Sequence, residues 1–216
     1  MLKPTFLKGI PEAGCDEAGR GCLAGPVYAA AVILPKNFRC KWLNDSKQLT
    51  AAVRNELRPV IESKALAWAV AKVDADEIDS INIYRAAMKA MHLAIAALQQ
   101  KPELLLIDGN RFVPFPGIEH HCVIGGDGIY KHIAAASILA KTHRDEFMLD
   151  LHRQYPEYGW DENKGYATAH HRRLVTQLGP TPFHRRSFRL NYEVTANPEA
   201  YCANPQNAEP ADLFTT

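Results

Sequence analysis

The stretch Ala13-Gly-Cys-Asp-Glu-Ala-Gly-Arg-Gly21 begins small and apolar and ends in two adjacent acids and an arginine flanked by glycines. It reads as a strand over residues 13–16 that delivers carboxylates to its carboxyl end, where sites gather in α/β sheets. Neighbouring strand residues face opposite ways, so Asp16 and Glu17 can serve one site only where the strand is ending. Gly19 and Gly21 let the backbone turn there and approach a ligand closely. Arg20 between them suits a phosphate.

Working outward, residues 27–34 form an apolar run bounded by Pro26 and Pro35, near enough to pair antiparallel with the first strand. Residues 66–73 alternate as a third strand. Residues 104–107 stop at Asp108-Gly109 and residues 121–124 stop at Gly125-Gly126, giving two more. Helices are expected over 51–63, with Thr50 as N-cap and Pro59 disturbing the second half. Further helices are expected over 82–100, 133–155 and 168–178, the last closed by Gly179-Pro180. Strands interleaved with helices predict an α/β fold with helices stacked on a central sheet.

The chain has 216 residues, 47% apolar and 23% charged, which suits one compact domain with at most a small appendage. Its five cysteines form no C-x-x-C pair, so reduced thiols are expected in place of a disulfide framework or zinc ribbon. The longest apolar run is the eight residues 27–34, too short for a membrane span. The N-terminus lacks the apolar core of a signal peptide, so a cytoplasmic protein is expected.

The net charge of +1 conceals a split. Residues 1–163 carry 19 Lys/Arg against 20 Asp/Glu; residues 164–190 carry six Lys/Arg and no acid; residues 191–216 carry four acids and no base. Without the last segment the sum is −1 plus 6, or +5. This predicts a domain over 1–163, a basic helical extension over 164–190 packed on it as part of the same domain, and a disordered tail over 191–216. A basic strip beside an acidic centre raises nucleic acid as a partner.

Alone, each acid reads equally well as the start of a solvated turn. Together, Asp16, Glu17, Asp108 and Asp127 are four carboxylates at strand ends from three stretches of chain. Such a cluster repels itself, and divalent cations relieve the repulsion; hard oxygens favour Mg²⁺ or Mn²⁺ over zinc. Acids beside bases fit a metal-dependent phosphodiester hydrolase. The pairs His120-His121 and His170-His171 lack the i, i+4 spacing of a helical metal site and are expected at the surface or facing nucleic acid. No G-x-x-x-x-G-K-[ST] loop is present, which disfavours a nucleoside triphosphatase.

The ordered set G-C-D-E-A-G-R-G (14–21), G-P-V (25–27), N-D-S-K-Q-L (44–49), I-D-G-N (107–110), G-D (126–127), I-A-A-A-S-I-L-A-K (133–141), R-D (144–145), K-G-Y (164–166) and H-R-R-S-F (184–188) resembles bacterial ribonuclease HII. The resemblance spans roughly residues 9–190. It implies a ribonuclease H-like fold: a mixed five-stranded sheet flanked by helices, with a C-terminal helical extension. It implies hydrolysis of RNA in RNA–DNA hybrids and incision 5′ to ribonucleotides embedded in duplex DNA, leaving 3′-hydroxyl and 5′-phosphate ends.

Residue by residue, the resemblance makes Asp16, Glu17, Asp108 and Asp127 the catalytic metal-binding acids, with Asp145 structural or supporting. It places the Gly19-Arg20-Gly21 backbone and Tyr166 at the ribose 2′-hydroxyl, a group that both donates and accepts a hydrogen bond. Lys47 is implied as a phosphate contact. The sequence departs from the family's usual pattern at Gly125, where lysine is common, at His143, and at Ala167, where proline is common.

Three rivals were weighed. A catalytically silent hybrid-binding module would gain nothing from four acids. A type 3 enzyme would carry an N-terminal substrate-binding domain, for which the 13 residues before Gly14 leave no room. A nuclease without ribose selectivity would not need the glycine–arginine–glycine turn and Tyr166. Monomeric action is expected. The acidic-hydrophobic segment from Pro210 to Phe214 resembles peptides that dock on a sliding clamp.

Overall fold

The computed structural model describes residues 2–188, so the acidic tail, its Pro210 to Phe214 segment, Cys202 and Arg189 lie outside the described residues. Five strands form one mixed sheet: β1 (Glu12–Ala18), β2 (Val27–Ile33), β3 (Ala67–Val73), β4 (Leu104–Asp108) and β5 (Glu119–Val123). Their order is β3-β2-β1-β4-β5, with β1–β2 and β2–β3 antiparallel and β1–β4 and β4–β5 parallel. The antiparallel pairing of the first two strands agrees with the short connection between them.

Six helices accompany the sheet among the described residues: α1 (Ala51–Lys64), α2 (Ala75–Ile81), α3 (Ile83–Ala96), α4 (Lys131–Gln154), α5 (Trp160–Asn163) and α6 (Ala169–Leu178). Alternation along β1 divides the core. Ala13 and Cys15 face the cluster built with α3, whose Ala87, Met91 and Ala94 pack on that side. Residues on the other face meet α4, and there Ala30 and Val32 of β2 pack with Ala134, Ala135 and Ile138 and with Leu57 and Ile61 of α1. Gly14 is where β1 and α4 come closest: a Cβ there would overlap the backbone of His132 and Ile133. The small residues at the start of α4 serve the same approach.

Two helical expectations are corrected. Helix α1 continues through Pro59 to Lys64 without interruption. Pro59 and Asn55, whose carbonyl loses its partner, are both on the exposed side, so water replaces the missing bond. The helix expected over 82–100 is α3, which ends earlier, at Ala96; ahead of it, and not expected, lies α2, set off by Asn82, whose φ of 69° breaks the run. Helix α2 has only seven residues, too few for a helical period to register.

The second half of α4 leaves the sheet and carries a separate cluster in which Met148 and Leu151 pack with Tyr158, Trp160, Val175 and Ala24. Through this cluster α5 and α6 are held against the turn that follows β1. None of the described helices is long and apolar enough to cross a membrane. Cys15, Cys22, Cys40 and Cys122 are free thiols.

Candidate active site

The parallel register of β1 and β4 pairs Cys15 with Ile107, so the next residues, Asp16 and Asp108, stand level at the carboxyl ends of adjacent central strands. Strand alternation turns both toward the α4 side, because Leu104 and Leu106 of β4 face the cluster with Ile133. β1 itself extends beyond the expected residue 16 to Ala18, so Glu17 is still paired with Ala29 of β2 but lies past the β4 pairing, which ends at Cys15. Asp127 arrives from the short 3₁₀ turn Gly126–Gly128 after β5, buried at 2% exposure. The Gly126 amide donates to Asp108 Oδ1 at 2.7 Å, locking that turn onto β4.

Burial and mutual repulsion dominate the electrostatics. The Asp16 carboxyl lies well above the usual carboxylate range, first because it is buried and then because the Glu17 and Asp108 charges face it. Burial also raises Glu17, opposed by Arg20. Asp108 is raised by burial and then by the Asp127 charge, opposed by the Gly126 amide. Asp16 Oδ1 accepts from the Glu17 amide at 2.7 Å. The Ser137 hydroxyl of α4 donates to Asp16 and in turn lies 2.8 Å from the Ser46 hydroxyl.

That serine chain ties the Ser46–Gln48 turn to α4 and holds Lys47 over the site. Lys47 Nζ reaches Asp127 Oδ2 at 3.1 Å, so a cation meets this acid from another loop although Gly125 supplies none. Arg20 Nη1 reaches Glu17 Oε1 at 2.9 Å. With two acids so engaged, no three His, Cys, Asp or Glu side chains among the described residues are grouped closely enough to hold one ion.

Beside the acids lies the turn after β1. Gly19 has φ of 93° and a Cβ there would strike the Arg144 guanidinium, while Gly21 faces open space. Tyr166 is 39% exposed and pairs by an isolated bridge with Cys22, its hydroxyl bonded to the Cys22 thiol. The ring lies 5.5 Å from Lys141 Nζ, whose i, i+4 neighbour Asp145 is 3.7 Å from that ammonium.

Two buried arginines knit this surface together. Arg144 donates to the carbonyls of Pro26 (3.1 Å), Lys164 (2.9 Å) and Ala24 (3.1 Å). Arg185 donates to Gly25 (2.9 Å) and Arg20 (3.0 Å). Arg185 therefore cannot grip a duplex as the basic strip suggested; it is fully buried, whereas Arg173 and Arg186 are exposed. His171 also departs from expectation, being buried where His170 is exposed. Ser46, Ser137, Arg144 and Arg185 carry no local signature, because, Arg144 to Lys164 apart, the bonds that place them reach 91 to 165 residues along the chain.

A mixed five-stranded sheet in this order, with acids gathered at the ends of its central strands, is the architecture of a ribonuclease H-like nuclease. A ribonuclease H2 from Pyrococcus horikoshii superposes with a TM-score of 0.73 at 24% identity, over 90% of this chain and 100% of that one. The Archaeoglobus fulgidus protein in a PCNA–ribonuclease HII complex gives 0.71 at 24% identity, over 85% and 98%. The model of the family Ribonuclease HII matches residues 13–191. The ribonuclease HII of Bacteroides thetaiotaomicron is 60% identical over 190 residues, covering 88% of this chain and 95% of its own. The chain belongs to the ribonuclease HII family, and its activity is that of a type 2 ribonuclease H.

Proposed function

We propose that the protein cuts the strand 5′ to ribonucleotides embedded in duplex DNA, as well as RNA in hybrids, by divalent-metal-assisted attack of water, with Asp16, Glu17, Asp108 and Asp127 holding the metal. The observation that carries this reading is the placement, at one end of the central strands, of the four carboxylates, of which Asp16, Glu17 and Asp108 are raised first of all by burial. A set of hard oxygen donors in that condition suits Mg²⁺ or Mn²⁺. Bound there, such a cation supplies activation of water and charge stabilisation at the leaving oxygen.

The protein's own groups do the rest. Asp16 and Asp108, level on adjacent strands, form the fixed half of the site. Glu17 and Asp127 complete it by exchanging their present cations. Arg20 and Lys47 are 51% and 73% exposed and can swing into solvent, while the Glu17 and Asp127 carboxylates they leave are 13% and 2% exposed and need the incoming metal's charge in exchange. Released, the two cations are placed to meet phosphates. The Gly19-Arg20-Gly21 backbone follows directly on Glu17, and Tyr166 bridges Cys22 just beyond it; these are the groups assigned to the 2′-hydroxyl, with exposed Arg173 and Arg186 assigned to the duplex backbone.

The test is cleavage of an end-labelled DNA duplex containing one ribonucleotide, with Mg²⁺ and with Mn²⁺, beside an all-DNA duplex. A single cut 5′ to the ribonucleotide, leaving a 3′-hydroxyl, is the expected result. Equal cutting of the all-DNA duplex, or no cutting with either metal, overturns the reading.

A further inference from the structure

Behind Tyr166 lies a histidine pair that the chemistry above does not employ. His171 on α6 and His184 in the following loop are both buried, with ring centroids 5.3 Å apart. Their hydrogen bonds determine both tautomers. Trp160 Nε1 donates to His171 Nε2 at 3.1 Å, so that nitrogen is an acceptor and the proton resides on Nδ1. Nδ1 donates to the Tyr166 carbonyl at 2.9 Å. The Thr181 amide donates to His184 Nδ1 at 2.9 Å, which puts the His184 proton on Nε2. That proton points to His171 Nε2 at 3.2 Å, where it shares that nitrogen's one lone pair with the Trp160 N–H.

The result is a one-way relay from Thr181 through His184 and His171 to the Tyr166 carbonyl. It works only with both rings neutral. Burial ensures this for His184, lowered to about 3, and also lowers His171.

The relay ends on a segment that needs support. Lys164 and Gly165 both have positive φ, 48° and 80°. Three successive carbonyls there are each held: Lys164 by Arg144, Gly165 by the Leu23 amide at 2.8 Å, and Tyr166 by the Thr168 amide and His171. We propose that His171, oriented by His184, is a positioning residue that sets Tyr166 against the ribose of the substrate. This rests on the assignment of Tyr166 to the ribose.

The test measures KM and kcat on the duplex with one ribonucleotide for His171→Phe and His171→Asn, each in the native and the Tyr166→Ala background. His171→Phe keeps a ring and loses both the donor to Tyr166 and the acceptor for Trp160; His171→Asn also lacks that acceptor but keeps an amide N–H where Nδ1 stood, so the two variants differ in the donor to Tyr166. His171→Phe is expected to raise KM about fivefold to tenfold, the worth of one buried hydrogen bond, with kcat within about twofold. His171→Asn is expected to recover most of the loss, and in the Tyr166→Ala background His171→Phe is expected to add nothing.

An unchanged KM, an equal rise in both backgrounds, or no recovery with asparagine overturns the proposal. If His171→Phe does not fold, His184→Met, which removes the donor to His171 together with the acceptor for the Thr181 amide, should show the same pattern at about two- to threefold; an unchanged KM there overturns it equally. Tyr166→Ala with an unchanged KM is the separate result that overturns the ribose assignment itself.

Discussion

Asp16→Asn is expected to abolish cleavage, lowering kcat by about three orders of magnitude or more with Mg²⁺, while the fold is kept or strengthened. The carboxylate is buried, faces Glu17 and Asp108, and is stabilised only by Ser137 and the Glu17 amide. Asparagine removes the charge and retains the shape. The sign of the stability effect follows from the raised carboxyl. A folded-state acid held above its unfolded value binds its proton more readily when folded, so its ionisation opposes folding at neutral pH and not below the ordinary carboxylate range. The metal-free Asp16→Asn protein should therefore unfold at a higher temperature than the native chain at pH 7, with the gap closing toward pH 4. Native-like turnover in the variant would remove Asp16 from the chemistry; a lower unfolding temperature at pH 7 would show that its charge supports the fold.

Arg144→Met is expected to have the largest effect on stability. The guanidinium is 1% exposed and serves three carbonyls from two distant segments. Methionine fills part of the space and leaves those oxygens buried without donors, at a cost of about 3 kcal/mol or more. For a domain of this size that corresponds to an unfolding temperature lower by about 6–12 °C, readable by circular dichroism. Lysine should not restore it, since one compact ammonium cannot replace a planar fork directed at three acceptors. A native-like unfolding temperature in Arg144→Met would dismiss this role.

Much of the architecture was legible because strand and helix periods are local. The five strands were all anticipated, whereas the acids at the ends of β1 and β4 read singly as turn residues and became a candidate site only as a set with Asp127 and the ordered motifs around them. What sequence reading missed depends on long-range contact. Arg185 looked like part of a basic strip, yet its partners Arg20 and Gly25 lie more than 150 residues earlier and draw it into the interior. His171 looked like a surface residue beside His170, and only the packing of α6 against Trp160 reveals which of the pair is buried. Lys47 on Asp127, 80 residues apart, could not be seen before the Ser46–Ser137 contact placed its turn.

β1 has hydrogen-bonded neighbours on both edges, β2 on one side and β4 on the other. Its amides are thus released to solvent only when the whole sheet comes apart, whereas the turn at Gly19–Gly21 and the Lys164–Tyr166 segment hang on a few side-chain bonds and can open on their own. In terms of lifetime, Asp16 and Asp108 are expected to ride on the slowest-exchanging part of the molecule, and the segments that carry Arg20 and Tyr166 on faster parts. On the proposed reading, a duplex can be sampled and rejected many times while Asp16 and Asp108 keep their arrangement.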